Sequence, residues 1–220
     1  MKTISIISQK GGAGKTTIAI HLAVAAEKRG LRTAIFDLDP QGSAASWADR
    51  RQKDTPAVVT AQSSRLPILV KQAKEQGADL VIIDSAPNAD SASLAAAQLS
   101  DLILIPCRPA AFDLNAIGTT LNLATVAARP AFVVLNAVPV QGRIGVEARA
   151  ALSSEGVAVA DTVLHHLVAF SHAVTDGRTA QEFAPGSRAA TEADELFTWA
   201  IKHANTSTNK RSAQQPRKRA

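Results

Sequence analysis

Residues 2–17, Lys2-Thr-Ile-Ser-Ile-Ile-Ser-Gln-Lys-Gly-Gly-Ala-Gly-Lys-Thr-Thr17, pass from an apolar run through a glycine-rich turn into helix-forming sequence. The run Ile4 to Ile7 reads as a strand buried on both faces, as in a parallel sheet. Gly11, Gly12 and Gly14 let the backbone turn tightly and bring its N–H groups against a ligand with no Cβ in the way. Ala13 completes the turn. Lys15, Thr16 and Thr17 open a helix whose positive end points into the same loop. An anion there meets converging amides, a helix dipole and an ammonium group. Lys15 is placed to reach the β- and γ-phosphates of a nucleotide, and Thr16 to ligate Mg²⁺. The loop therefore predicts an ATP- and Mg²⁺-binding strand–turn–helix.

The rest of the chain repeats the alternation of strand and helix. A helix over Ile18 to Arg29 ends at Gly30, and a strand follows over Thr33 to Leu38. The same pattern predicts a helix at Gln41 to Arg51, a strand at Val58 to Ala61, a helix at Leu66 to Gln76 and a strand at Leu80 to Ile83. It continues with a helix at Ser91 to Leu99, a strand at Leu102 to Pro106, a helix at Leu114 to Ala127 and a strand at Ala131 to Leu135. The last elements are a helix at Val146 to Leu152, a strand at Val157 to Val163 and a helix at Thr191 to His203. This order implies an α/β fold of the P-loop NTPase type, a mainly parallel twisted sheet with helices on both faces. Ligands then bind beyond the carboxyl ends of the strands. With 46% apolar but only 4% aromatic residues, the core is one of Ala, Val, Ile and Leu.

Two further motifs fall at strand ends. In Ile35-Phe-Asp-Leu-Asp-Pro-Gln41, alternation puts Asp37 and Asp39 on one side, two carboxylates at the mouth of the phosphate site. Carboxylates there orient a water or hold Mg²⁺ through water; either could instead cap the next helix. Leu80-Val-Ile-Ile-Asp84 has the form of a Walker B strand, whose aspartate accepts from Thr16 or from metal-bound water.

The loop departs from the general pattern, with Gln9 where a glycine is usual, followed by Lys10. Lys10-Gly-Gly-Ala-Gly-Lys-Thr-Thr resembles the deviant Walker A loop of the ParA/MinD family of dimerising ATPases. The resemblance extends through Asp37-Leu-Asp-Pro-Gln41 and Asp84-Ser-Ala-Pro87 to about Ile201. It implies that Lys10 crosses a dimer interface to the partner's nucleotide, that Asp39 positions the attacking water and that Asp37 supports the magnesium shell. It also assigns Asn136, at the end of Val133-Val-Leu-Asn136, to adenine, and Pro109, in Ile105-Pro-Cys-Arg-Pro109, to the same side of the nucleotide. The chain departs from many relatives in carrying His165 and His166 where they have an arginine.

Charge separates the body from its end. Six of the 24 basic residues lie from Lys202 onward with no acid among them, which leaves 18 against 19 acids in the body. The polar segment 205–220 has no large apolar residue and reads as a disordered basic tail after a single ATPase domain over 1–204. Lys210, Arg211, Arg217, Lys218 and Arg219 are its candidate DNA contacts. The tail lacks the apolar face of a membrane-surface helix. The lone Cys107 and the absence of a leader suit the cytoplasm. Taken with the resemblance, these features imply an ATP-dependent homodimer, nucleoid-associated, that binds DNA non-specifically. It would drive plasmid or chromosome partition with a centromere-binding, ParB-like adaptor. A relative positioning another cargo, in conjugation or for a protein complex, shares every motif. A MinD-like membrane switch is disfavoured by the tail.

Overall fold

The computed structural model describes the backbone of residues 1–87 and 90–214, and their side chains except at 111–116 and 207–214. Six strands form one sheet: β1 (Lys2–Ile6), β2 (Thr33–Asp37), β3 (Ala57–Thr60), β4 (Leu80–Asp84), β5 (Leu102–Cys107) and β6 (Ala131–Leu135). Their order is β3-β2-β4-β1-β5-β6, and every pairing is parallel. The expected fold is thus the observed one. The helices are α1 (Lys15–Glu27), α2 (Ser43–Asp49), α3 (Leu66–Glu75), α4 (Asp90–Leu99), α5 (Ala111–Val126), α6 (Ile144–Ser154), α7 (Val168–Val174), α8 (Ala180–Phe183) and α9 (Arg188–Gln214).

Alternation along the strands builds a core on each face. Ile4, Ile6, Ile35, Leu80, Ile82, Leu102 and Leu104 pack with α1 and α9. Ile7, Phe36, Val81, Ile83, Ile103 and Ile105 face the other way, toward α3 to α6. Each such side chain taken from water stabilises by about 1.5–3 kcal/mol. Helix α1 is buried over most of its circumference, from Ile18 through Ala26, so it is anchored where it meets the phosphate loop. Register brings Asp37 of β2 opposite Asp84 of β4, and Asp84 opposite Ile6 of β1. Both carboxylates therefore stand at the strand ends beside the loop that leaves β1.

The structure corrects the sequence reading after β6. Val157 to Val163 is no strand. Residues 157–165 touch β6 and its exit at two isolated bridges only, Val133 to Val159 and Val138 to His165. The ladder breaks between them because the Ala160 and Asp161 carbonyls accept from the Arg149 guanidinium at 2.7 and 3.1 Å. Helices α7 and α8 fill a stretch where no element was expected. Helix α9 runs on to Gln214, so the segment 205–214, expected to be disordered, continues the helix. Extending a formed helix adds one hydrogen bond per residue without a new nucleation cost. The side chains of Lys210 and Arg211, and residues Arg217, Lys218 and Arg219 altogether, lie outside the described residues. Among the described residues no helix is long and apolar enough to cross a membrane.

Candidate nucleotide site

The phosphate loop ends at Gly14, which caps α1 in the left-handed region with φ of +96° and offers no side-chain hydrogen bond to the helix. No acidic residue occupies the first turn. The first-turn amides are thus left to an external acceptor. Gly14 is required for a second reason: a Cβ there would run into the Asn136 side-chain amide. A cleft of about 500 Å³ opens over this turn, lined by Gly11, Gly12, Gly14, Lys15, Thr16, Thr17 and Asp39. Arg108, Asn136, His165, His166 and Phe170 form its other wall.

Beneath the cleft lining, where Thr16 meets the buried Asp84, the charges are poorly matched. The Thr16 hydroxyl donates to Asp84 Oδ2 at 2.6 Å, while Asp84 Oδ1 is buried with no hydrogen-bond partner. Burial pushes the Asp84 carboxyl up to about 7; the Thr16 hydrogen bond opposes, Asp37 adds to the rise, Lys15 opposes and Asp39 adds to it. Burial likewise lowers the Lys15 ammonium from its usual value, against Asp84 and Asp39. An orphaned carboxylate oxygen beside a threonine hydroxyl is a donor set that suits Mg²⁺, a cation that takes few protein ligands and completes its shell with water and phosphate oxygens. Thr16 and Asp84 would hold such an ion.

The structure redistributes the other expected roles. Asp37 accepts from the Asp39 amide at Oδ1 (3.0 Å) and from the Ala44 and Ala45 amides at Oδ2 (3.0 and 3.2 Å). Its carboxylate thus caps α2 and ties down the turn that carries Asp39. Asp39 lines the cleft and folds its own turn, with Oδ1 accepting from the Gln41 amide at 2.9 Å. Asn136 lies in the cleft, and its side-chain amide donates to the Ala13 carbonyl at 2.7 Å, which ties it to the loop. Ala13 is itself buried. Pro109 is buried and does not line the cleft. Lys10 also stands outside the cleft lining. Sequence reasoning passed over Arg108, which lies at the carboxyl end of β5, the position rule that singled out the aspartates. His165 is held from behind: its Nδ1 lies 2.7 Å from Glu192 Oε1, and Arg188 Nε donates to the same oxygen at 2.7 Å. A larger groove of about 910 Å³ on the β2–β3 side shares Asp39 but none of the loop residues, and its walls include Val59, Ala61, Leu69 and Ala86.

A second concentration of charge lies between α2 and α8. Glu182 takes a forked pair of hydrogen bonds from Arg51, at 2.7 and 2.8 Å, and one from Lys53 at 3.0 Å. It also accepts from the Thr179 amide at 3.1 Å, closing a capping box on α8. Burial would raise this carboxyl, yet the Arg51 and Lys53 hydrogen bonds bring it down to about 2. Arg51 lies over the Trp47 ring and donates to the Gly177 carbonyl. Gly177 has φ of +76°, and a Cβ there would strike the Arg50–Arg51 backbone. Nearby His21 is fully buried; burial lowers it to about 4, its Nδ1–H donating to the Thr17 carbonyl (2.7 Å) and its Nε2 accepting from the Ala180 amide (3.0 Å).

Residues 4–180 match the model of the CobQ/CobB/MinD/ParA nucleotide binding domain. The chain is 30% identical over 197 residues to the maintenance of carboxysome distribution protein A of Gloeobacter kilaueensis, covering 88% of this chain and 90% of that protein. It is 34% identical over 127 residues to protein ParA of Rhizobium radiobacter, covering 56% of each. The septum site-determining protein MinD of Pyrococcus horikoshii, solved with Mg-ADP, shares the fold with a TM-score of 0.74 at 18% identity, over 94% of this chain and 98% of that one.

Proposed function

Because this chain belongs to the CobQ/CobB/MinD/ParA nucleotide-binding family, we propose that it is a Mg-dependent ATPase that dimerises on ATP and positions a cargo through an adaptor protein. The observation that carries the ATPase reading is the Thr16–Asp84 pair, with its orphaned Oδ1, beside the buried Lys15 at an uncapped helix start. The chemistry that Mg²⁺ would supply there is neutralisation of charge on the phosphate oxygens. The chain's own groups do the rest. Loop amides and Lys15 bind the phosphates, and Asp39, held by Asp37, orients the attacking water. Lys10, which stands outside its own cleft, reaches a partner's nucleotide in a dimer.

For the cargo, the carboxysome-distribution relative supports a reading in which this protein spaces a protein complex. The likeness to that protein spans 90% of its length, whereas the likeness to ParA spans 56%. Plasmid or chromosome partition with a ParB-like adaptor is the second reading, and it rests on the ParA match. In either reading the basic end of the chain would grip DNA without sequence preference. The test is size-exclusion chromatography with light scattering in Mg-ATP. Asp39→Ala is expected to accumulate as a dimer with turnover reduced at least about 100-fold, and Lys10→Gln to stay monomeric. A parent that remains monomeric under all nucleotide conditions would remove the switch.

A further inference from the structure

Building on this reading of the cleft, we propose that Arg108 binds the terminal phosphoryl group of ATP held by its own chain and stabilises it during transfer. The sheet order places β4 and β5 on either side of β1. The phosphate loop therefore has Asp84, and Asp39 beyond it, on one flank, and Arg108 on the other. Arg108 is exposed and lines the cleft. One guanidinium nitrogen stands 3.5 Å from where a Cβ on Gly12 would be, so the group overhangs the lip of the loop. Among the described residues its guanidinium has no hydrogen-bond or ion-pair partner, unlike Arg51 and Arg188 in their networks.

Charge balance calls for such a group. Among the described residues, Lys15 and Arg108 are the only lysine or arginine lining the cleft. Lys15 already faces Asp84 and Asp39, so Arg108 is the cleft-lining cation of this chain that no carboxylate engages, beside the loop amides and the helix start. During transfer, negative charge spreads over the terminal phosphoryl oxygens. Water oxygen bonds to that phosphorus as the bond to the bridging oxygen breaks; the electron pair leaves on ADP, and the water protons pass to phosphate and solvent. A planar guanidinium can bridge two of the oxygens involved, which an ammonium cannot do in the same geometry.

The test uses the full chain, with Arg108→Ala and Arg108→Lys beside Lys15→Ala, and measures ATP turnover and the calorimetric affinity for ADP with Mg²⁺. Arg108→Ala is expected to lower kcat about 30-fold or more, below the full effect of a buried arginine finger because the site is open. ADP lacks the terminal group, so its Kd should stay within about 3-fold of the parent, a split that a merely structural role would not produce. Arg108→Lys should recover part of the rate. Turnover of Arg108→Ala within about 3-fold of the parent overturns the assignment, and so does an ADP affinity that falls as far as kcat. If Lys15→Ala binds ADP as well as the parent, or the parent binds none, the nucleotide site itself fails and the role of Arg108 falls with it.

Discussion

Asp84 and Glu182 are both largely buried carboxylates, and the chain treats them in opposite ways. Glu182 is met on both oxygens by Arg51, Lys53 and a backbone amide, and sits near 2. Asp84 has one hydroxyl on one oxygen and nothing on the other, and sits near 7. A buried charge left short of partners destabilises the fold. Had stability been the only requirement, the phosphate mouth would resemble the α2–α8 junction. The contrast teaches that the unmet groups at the mouth are kept for a ligand, and that the met groups at the junction hold the fold around it.

Breaking the contrast at the mouth should cost binding and spare the fold. Lys15→Ala removes charge-assisted hydrogen bonds worth about 1.5–3 kcal/mol each. ATP affinity by calorimetry should fall at least about 100-fold, while the thermal midpoint of the nucleotide-free protein holds or rises. Breaking it at the junction should do the reverse. Glu182→Gln leaves Arg51 buried without its counter-ion, a loss of about 3–5 kcal/mol that lowers Tm by roughly 10 °C. ATP affinity, measured well below that Tm, should not change.

Acid sharpens the same comparison. Glu182 is depressed from 4.5 to about 2, so its contribution is complete above 4.5 and disappears as pH falls through that interval. His21, depressed from 6.5 to about 4, also removes stability on acidification over its own interval, because the unfolded chain takes up the proton first. Asp84, raised from 3.8 to about 7, acts in the opposite sense, since the folded chain is protonated first. Urea midpoints should therefore change little between pH 7 and 4.5 and drop steeply below. In Glu182→Gln that lower drop should be shallower, and an unaltered one would assign it to other carboxylates.

These contrasts also mark what the sequence could and could not disclose. The phosphate loop, the six strands and the aspartates at their ends were legible because each is a local pattern: an apolar run, a glycine turn, a carboxylate one step beyond. The junction was not, because Arg51 and Glu182 stand 131 positions apart and their pairing depends on the fold. The same holds for Asn136, whose amide belongs to Ala13, 123 positions away. Asp37 fell between the two cases: its capping role was one of the readings its position allowed, and the three backbone amides that meet it could be found only in the fold. The apparent strand at 157–163 had the right residues, but a side chain from α6 takes its carbonyls. Arg108 went unnoticed because the segment that contains it, Ile105-Pro-Cys-Arg-Pro109, was read for its proline.

The smallest expected effect concerns neither region. Truncation after Asn205 removes five of the six basic residues of the chain's end. If they meet phosphates, the dependence of log DNA affinity on log salt should become shallower by roughly 0.9 per lost contact. Dimerisation and ATP turnover should be unaffected, since the phosphate mouth and the junction both remain. An unchanged slope would mean that this end does not touch DNA.

The contrast between the two carboxylates is tested most directly by thermal unfolding of the parent and Asp84→Asn at pH 8, each with and without saturating Mg-ATP. Without ligand the variant should be the more stable, by on the order of 1 kcal/mol, because it relieves a buried charge with one unmatched oxygen. With Mg-ATP the order should invert, because the parent gains ligand stabilisation that the variant cannot match. A variant less stable than the parent under both conditions would make Asp84 a structural carboxylate like Glu182, and the account of the mouth would be wrong.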